Sequence, residues 1–103
     1  MAYCQIFEHP DVTPEKMEQI MAHVRTTGPV LPVGAQLLVA GPGEPGMRVV
    51  TIWDSNEARE RFLAERLNDA YEEAGLSLDR GNVTVFEVFK LAAGDLTTAP
   101  QPA

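Results

Sequence analysis

Met47 to Trp53 reads Met-Arg-Val-Val-Thr-Ile-Trp and passes without a linker into Asp-Ser-Asn-Glu and a long charged segment. Met47, Val49, Thr51 and Trp53 form one stripe of an extended chain, and Val50 and Ile52, with Arg48 at the edge, form the other. The β-branched residues in this run suit a pleated, packed strand. Asp54 supplies an N-cap with Glu57 at capping-box spacing, and Ser55 is the competing cap. Ala58, Phe62, Leu63, Leu67, Ala70, Tyr71 and Ala74 then recur at three- and four-residue steps, which is a helical period. Arg59, Glu60, Arg61, Glu65, Arg66, Asp69, Glu72 and Glu73 fill the gaps and read as a solvated face. The pairs Glu57/Arg61 and Arg61/Glu65 are worth ~0.2–0.5 kcal/mol each on an exposed helix. Gly75 ends the helix, because glycine takes positive φ without steric cost.

A buried strand fused to an amphipathic helix needs further strands beside it and a helix alongside. The rest of the chain supplies them. Ala2–Glu8 alternates as a strand and stops at His9-Pro10-Asp11. Thr13-Pro14-Glu15 opens a first helix with a cap, a proline at the first helical position and an acid in the first turn. Met17, Ile20, Met21 and Val24 form its apolar stripe, and Thr27-Gly28-Pro29 closes it. Ala35–Ala40 is a second strand, joined to the Met47 strand by a hairpin loop, Gly41-Pro42-Gly43-Glu44-Pro45-Gly46. That glycine-rich loop lacks Gly-Lys-Ser/Thr and leads into a strand, so it does not read as a phosphate cradle. Leu76–Asn82 connects to a fourth strand, Val83–Leu91. The order βαββαβ predicts a ferredoxin-like α+β fold: a four-stranded antiparallel sheet with two helices on one face. The domain is expected over residues 1–91, with a flexible C-terminal tail over 92–103 whose composition is poor in core-forming residues.

Each of the four strands carries apolar side chains on both faces. A sheet wet on one side should alternate hydrophobic-in and polar-out. The chain has no further element to cover the second face, so a second copy packed sheet to sheet is expected, giving a homodimer. Charge excludes other partners. Fifteen acidic residues against eight basic give a net charge of −7, with no basic cluster. Nucleic acid and anionic membrane surfaces are therefore not expected. No apolar run approaches the ~20 residues that span a bilayer. The N-terminus lacks the plan of a secretory signal, and the single Cys cannot form an internal disulfide, so a cytoplasmic protein is expected.

The βαββαβ order, the Thr-Pro-Glu helix start and above all Val-Val-Thr-Ile-Trp-Asp-Ser-x-Glu-Ala at the second helix resemble the dimeric α+β barrel superfamily. Within it the likeness is to the antibiotic-biosynthesis-monooxygenase-like domains, over about residues 1–91. The resemblance implies a pocket between sheet and helices, lined by the Trp that closes the third strand, here Trp53. The amide those enzymes use beside that Trp has no clear match: position 49 is Val, and the strand amides here are Gln5 and Gln36. The helix His that binds iron in haem-degrading relatives has no counterpart either, since His9 and His23 lie elsewhere. Neither haem nor another cofactor is expected, and no His/Cys/acid spacing resembles a metal site.

The resemblance implies a small apolar or aromatic ligand, with cofactor-free oxygenation, isomerisation or cyclisation as the chemistry. Trp53, Glu87 and His9 are the catalytic candidates; Tyr3, Gln5, Phe7, Thr51 and Phe62 are the ligand-lining ones. Trp53 and Gln5 would donate hydrogen bonds to a substrate anion in a dry pocket. Glu87, mid-strand between Val85 and Phe89, would be a base if desolvation raised its pKa; otherwise it is an edge charge paired with Arg48. His9 would shuttle a proton or serve the turn that follows it. Trp53 has an equally good reading as a core side chain with its N–H satisfied internally. In that case the protein would be a non-catalytic binding or accessory dimer. Cys4 reads as a small buried hydrophobe.

Overall fold

The computed structural model describes residues 2–44 and 46–94, so most of the expected tail, residues 95–103, lies outside the described residues. The elements run β1 (Tyr3–His9), α1 (Pro14–Thr27), β2 (Ala35–Pro42), β3 (Met47–Trp53), α2 (Asn56–Phe62), a π-helical turn (Leu63–Leu67), α3 (Asn68–Glu73), a 3-10 turn (Leu78–Arg80) and β4 (Asn82–Glu87). The strands form one antiparallel sheet in the order β2-β3-β1-β4. This is the ferredoxin-like arrangement expected from the sequence. β4 is shorter than expected: it ends at Glu87, and Phe89 and Leu91 are exposed beyond it. Among the described residues no helix is long and apolar enough to cross a membrane.

Register divides the side chains cleanly between the two faces. Leu38, Thr51, Gln5 and Val85 form one cross-strand row on the helix side, and Ala40, Val49, Phe7 and Val83 form the next. The core lies between these rows and the helices. It joins Phe7, Val12 and Met47 to Ile20 and Val24 of α1 and to Ala70, Tyr71 and Ala74 at the end of the second helical run. On the other side the rows are Val39, Val50, Ile6, Thr84 and Leu37, Ile52, Cys4, Phe86. Among the described residues this second face is apolar and carries no helix, and Val39 and Phe86 are about half exposed on it.

Local chemistry explains the boundaries. The Thr13 hydroxyl accepts from the Lys16 backbone N–H, capping α1 with Pro14 at its first position. At the second helix Ser55, not Asp54, is the cap, accepting from the Ala58 N–H at 3.2 Å. The helices also close each other's C-termini, where carbonyls lack partners and the dipole attracts cations. Lys16 Nζ donates to the Ala74 carbonyl at 2.8 Å. Arg66 donates to the Val24 and Pro29 carbonyls at 2.9 and 2.8 Å and to Thr27 Oγ1 at 3.0 Å. The expected solvated face therefore loses Arg66, whose partners lie about forty residues away.

Candidate functional site

A cavity of about 50 Å³ lies between sheet and helices. Its sheet wall is Gln5 and Phe7 of β1, Leu38 of β2 and Val49, Thr51 and Trp53 of β3. Its helix wall is Met17, Ile20, Met21 and Val24 of α1 with Phe62, Leu67 and Tyr71, and Val30 closes one end. Five of the sequence-predicted residues thus meet here: Trp53, Gln5, Phe7, Thr51 and Phe62. The α1 stripe and Tyr71 were legible as apolar periodicity, but nothing in the sequence marked them as cavity lining.

The helix wall depends on the π-helical turn. Phe62 and Leu67 both line the cavity although they are five residues apart. On a regular α-helix that spacing points side chains to different faces. The Asn68 backbone N–H donates to the Leu63 carbonyl, five residues back, which widens the turn and brings positions five apart into line. Tyr71, four residues on, continues the same stripe in ordinary α geometry.

Few polar groups reach the cavity, and those of Trp53, Thr51 and the Gln5 carbonyl are hydrogen-bonded. The Trp53 indole N–H donates to Thr51 Oγ1 at 2.9 Å, with both residues buried. The Gln5 carbonyl oxygen accepts from Arg59 Nη1 at 2.9 Å. Arg59 is in turn fixed by Asn56 Oδ1, which accepts from its Nε at 2.9 Å, and lies 3.7 Å from the Glu60 carboxylate. Its side chain is 13% exposed. The sequence placed Arg59 on the solvated face; the structure turns it inward and ties it to the cavity wall through Gln5. Burial pushes the Tyr71 phenol up to about 12, so that side chain is a neutral aromatic at physiological pH.

The other candidates lie elsewhere. The His9 ring is fully buried at the far end of the core and packs against Phe7 and Tyr71. Its Nδ1 accepts from the Asp11 backbone N–H at 3.1 Å, so Nε2 carries the proton and donates to the Ser77 carbonyl at 2.6 Å. Both ring nitrogens are spent on backbone groups, which leaves no lone pair to accept a substrate proton. Glu87 is exposed at the end of edge strand β4, opposite Tyr3, so the burial that would make it a base is missing in the protomer. Its expected partner Arg48 instead pairs with Glu8 at 3.1 Å. Tyr3 lies beside Trp53 on the sheet but borders the segment Asp54 to Glu57 that leads into α2, outside the cavity. Gln36 is exposed at the β-bulge between Ala35 and Leu37. Burial pushes the Cys4 thiol up, away from thiolate character. Among the described residues no three of His, Cys, Asp and Glu converge as a metal-ion site.

Neither a known family model nor a curated protein matches the sequence. Two solved structures match the fold. A protein of Chloroflexus aurantiacus J-10-fl described as a candidate antibiotic biosynthesis monooxygenase is 22% identical, covers 91% of this chain and 100% of its own, and superposes with a TM-score of 0.54. A protein of Deinococcus radiodurans with the same description is 18% identical over 92% of this chain and 99% of its own, also with a TM-score of 0.54. The likeness shows a ferredoxin-like α+β domain of the same architecture as these two proteins. At this identity it carries the fold, and activity has to be argued from the site.

Proposed function

We propose that this chain forms a homodimer and takes a flat apolar or aromatic compound into the cavity beside Trp53, where it acts as a small-molecule enzyme. The observation that carries the reading is the pairing of an almost wholly apolar cavity with a guanidinium, Arg59, bonded to one wall amide, Gln5. Arg59 holds the Gln5 oxygen, which leaves the amide NH2 as a donor that the cation polarises. A donor of that kind in an apolar site favours a ligand oxygen bearing negative charge, such as a phenolate or enolate. The resemblance of the Trp53 strand–helix element to antibiotic-biosynthesis-monooxygenase-like domains supports an aromatic or polyketide-like substrate, and the two fold relatives are described as candidate antibiotic biosynthesis monooxygenases.

The described lining residues include no carboxylate and no histidine. The chemistry this site supports best is therefore on a substrate acidic enough to arrive ionised. Cofactor-free oxygenation fits: a substrate CH2 and O2 become C=O and H2O, with the substrate supplying all four electrons that reduce O2. Isomerisation or cyclisation of the same anion is compatible with the same residues. A second reading, a non-catalytic accessory dimer, is favoured by the cavity's size. About 50 Å³ is well below the ~150 Å³ that holds a benzene in an apolar protein interior.

Titration of Trp53 emission with 2-naphthol, below and above the phenol's own ionisation, tests the first reading. Tighter binding of the naphtholate is expected, with the preference lost in Arg59→Met. Loss of a charge-assisted contact is worth ~1.5–3 kcal/mol, about tenfold or more in affinity. No quenching at either pH would leave the accessory dimer as the better account.

A further inference from the structure

The inner cavity is too small for an aromatic ligand, yet a larger space lies directly outside it. An open groove of about 320 Å³ runs along the protein surface between Pro32 and Val33 on one side and Ala58, Arg61, Glu65 and Arg66 on the other. Phe62 lines both this groove and the inner cavity, so its ring stands in the wall between them. The loop after α1 forms part of both spaces as well, with Val30 inside and Pro32 and Val33 outside.

We infer that Phe62 is the gate of the cavity and holds the place of the ligand's ring. Inside, its ring packs on Trp53 with centroids 5.6 Å apart and planes at 42°. Outside, the Arg66 guanidinium sits 5.3 Å from its centroid, a cation–π contact. Arg66 is fixed by its bonds to Thr27, Val24 and Pro29, so it forms a fixed platform along which the ring can slide toward the groove. The π-helical turn begins immediately after Phe62 and departs from the regular helix on which the ring is mounted. Swinging the half-buried ring outward joins the two spaces and vacates the face of Trp53. The joined space falls within the ~300–1,000 Å³ typical of small-molecule sites. An incoming ring then stacks where Phe62 was, and its far end lies in the groove between Val33 and Arg61. The gate explains how a cavity filled at rest serves a ligand of two or more rings; it rests on the aromatic-pocket reading.

Two measurements separate the gate from that reading. The first is acrylamide quenching of Trp53, the only Trp in the chain, in wild type, Phe62→Leu and Phe62→Ala. A smaller side chain in the wall is expected to raise the quenching rate constant severalfold. The second is stopped-flow association of 1-naphthol, read on the same fluorescence. If the open state is a minor population in the wild type, removing the gate is expected to speed association about tenfold. Unchanged quenching together with unchanged association overturns the gate and leaves the pocket reading standing. Faster quenching with no naphthol binding in any of the three proteins upholds the gate and sinks the pocket reading. Phe62→Leu keeps much of the apolar bulk, so the test stands even if Phe62→Ala fails to fold.

Discussion

Trp53 Nε1 and Thr51 Oγ1 lie 2.9 Å apart, two residues along β3 on the face that meets the helices. The chain spends its indole donor inside its own strand. The expectation that Trp53 donates to a substrate gives way to a division of labour. Under the proposed function Trp53 would offer a ligand its ring face, while the Thr51 hydroxyl holds the indole N–H.

That pairing makes Thr51 a stability residue. Thr51→Val keeps the shape and leaves a buried N–H without its acceptor, at a cost of about 1–3 kcal/mol. Thr51→Ser retains the acceptor and should lose much less. Urea denaturation followed by Trp emission compares them; equal midpoints for the two variants would mean that the indole finds another partner.

His9 should behave as a structural residue. Replacing it with Phe keeps a ring against Phe7 and Tyr71 but strands the Asp11 N–H and the Ser77 carbonyl. Two such losses predict a destabilisation of roughly 2–4 kcal/mol. Naphthol affinity, measured below the melting transition, should stay within twofold or so of wild type, because the ring is outside the cavity lining. A selective loss of binding or turnover in a stable His9→Phe protein would restore it to the site.

Tyr71 supplies a pH dependence. Burial raises its folded-state pKa to about 12, whereas an unfolded tyrosine titrates near ~10. The folded state therefore holds the proton more tightly. This contribution is fully present below pH ~10 and is lost as pH rises toward the folded value, at up to ~1.4 kcal/mol per pH unit. Tyr71→Phe lacks the ionisation and should show a shallower fall in urea midpoint between pH 10 and about 12. Parallel curves for the two proteins would show that the phenol is not held neutral by the fold.

The open sheet face should be a dimer interface. Val39 and Phe86 stand about half exposed on it, and Phe89, just past β4, is fully exposed. Sedimentation equilibrium at micromolar concentration should give about twice the 11.3 kDa chain mass. Val39→Lys with Phe86→Lys should shift the protein toward monomer; a wild-type protein that sediments as a stable monomer would remove the argument.

Much of the fold could be read from residues that interact within a turn or a strand. Thr13 and Pro14 announce α1, the Met47–Trp53 run announces β3, and the alternation of β1 gives its partners on both sides. Capping, periodicity and β-branching act over a few residues, so they survive in a one-dimensional reading. The π-helical turn marks the limit. Phe62 and Leu67 fit an approximate helical period, but bringing both to one wall took a wider turn that no local propensity encodes.

The roles of the polar residues were decided by tertiary structure. Arg59 and Arg66 look alike as charges between apolar helix positions. One is turned inward onto Gln5, 54 residues away in sequence, and the other closes α1 through Val24, 42 residues away. His9 looks like a proton shuttle until the Ser77 carbonyl, 68 residues on, accepts a hydrogen bond from its Nε2. Glu87 looks like a buried base until β4 proves to be the sheet edge, opposite β2 in the strand order. A polar side chain is free for chemistry only when its hydrogen-bonding groups are not already spent. What spends them is brought up by folding from distant parts of the chain, so the sequence determined the scaffold and packing decided which of its functional groups remain available.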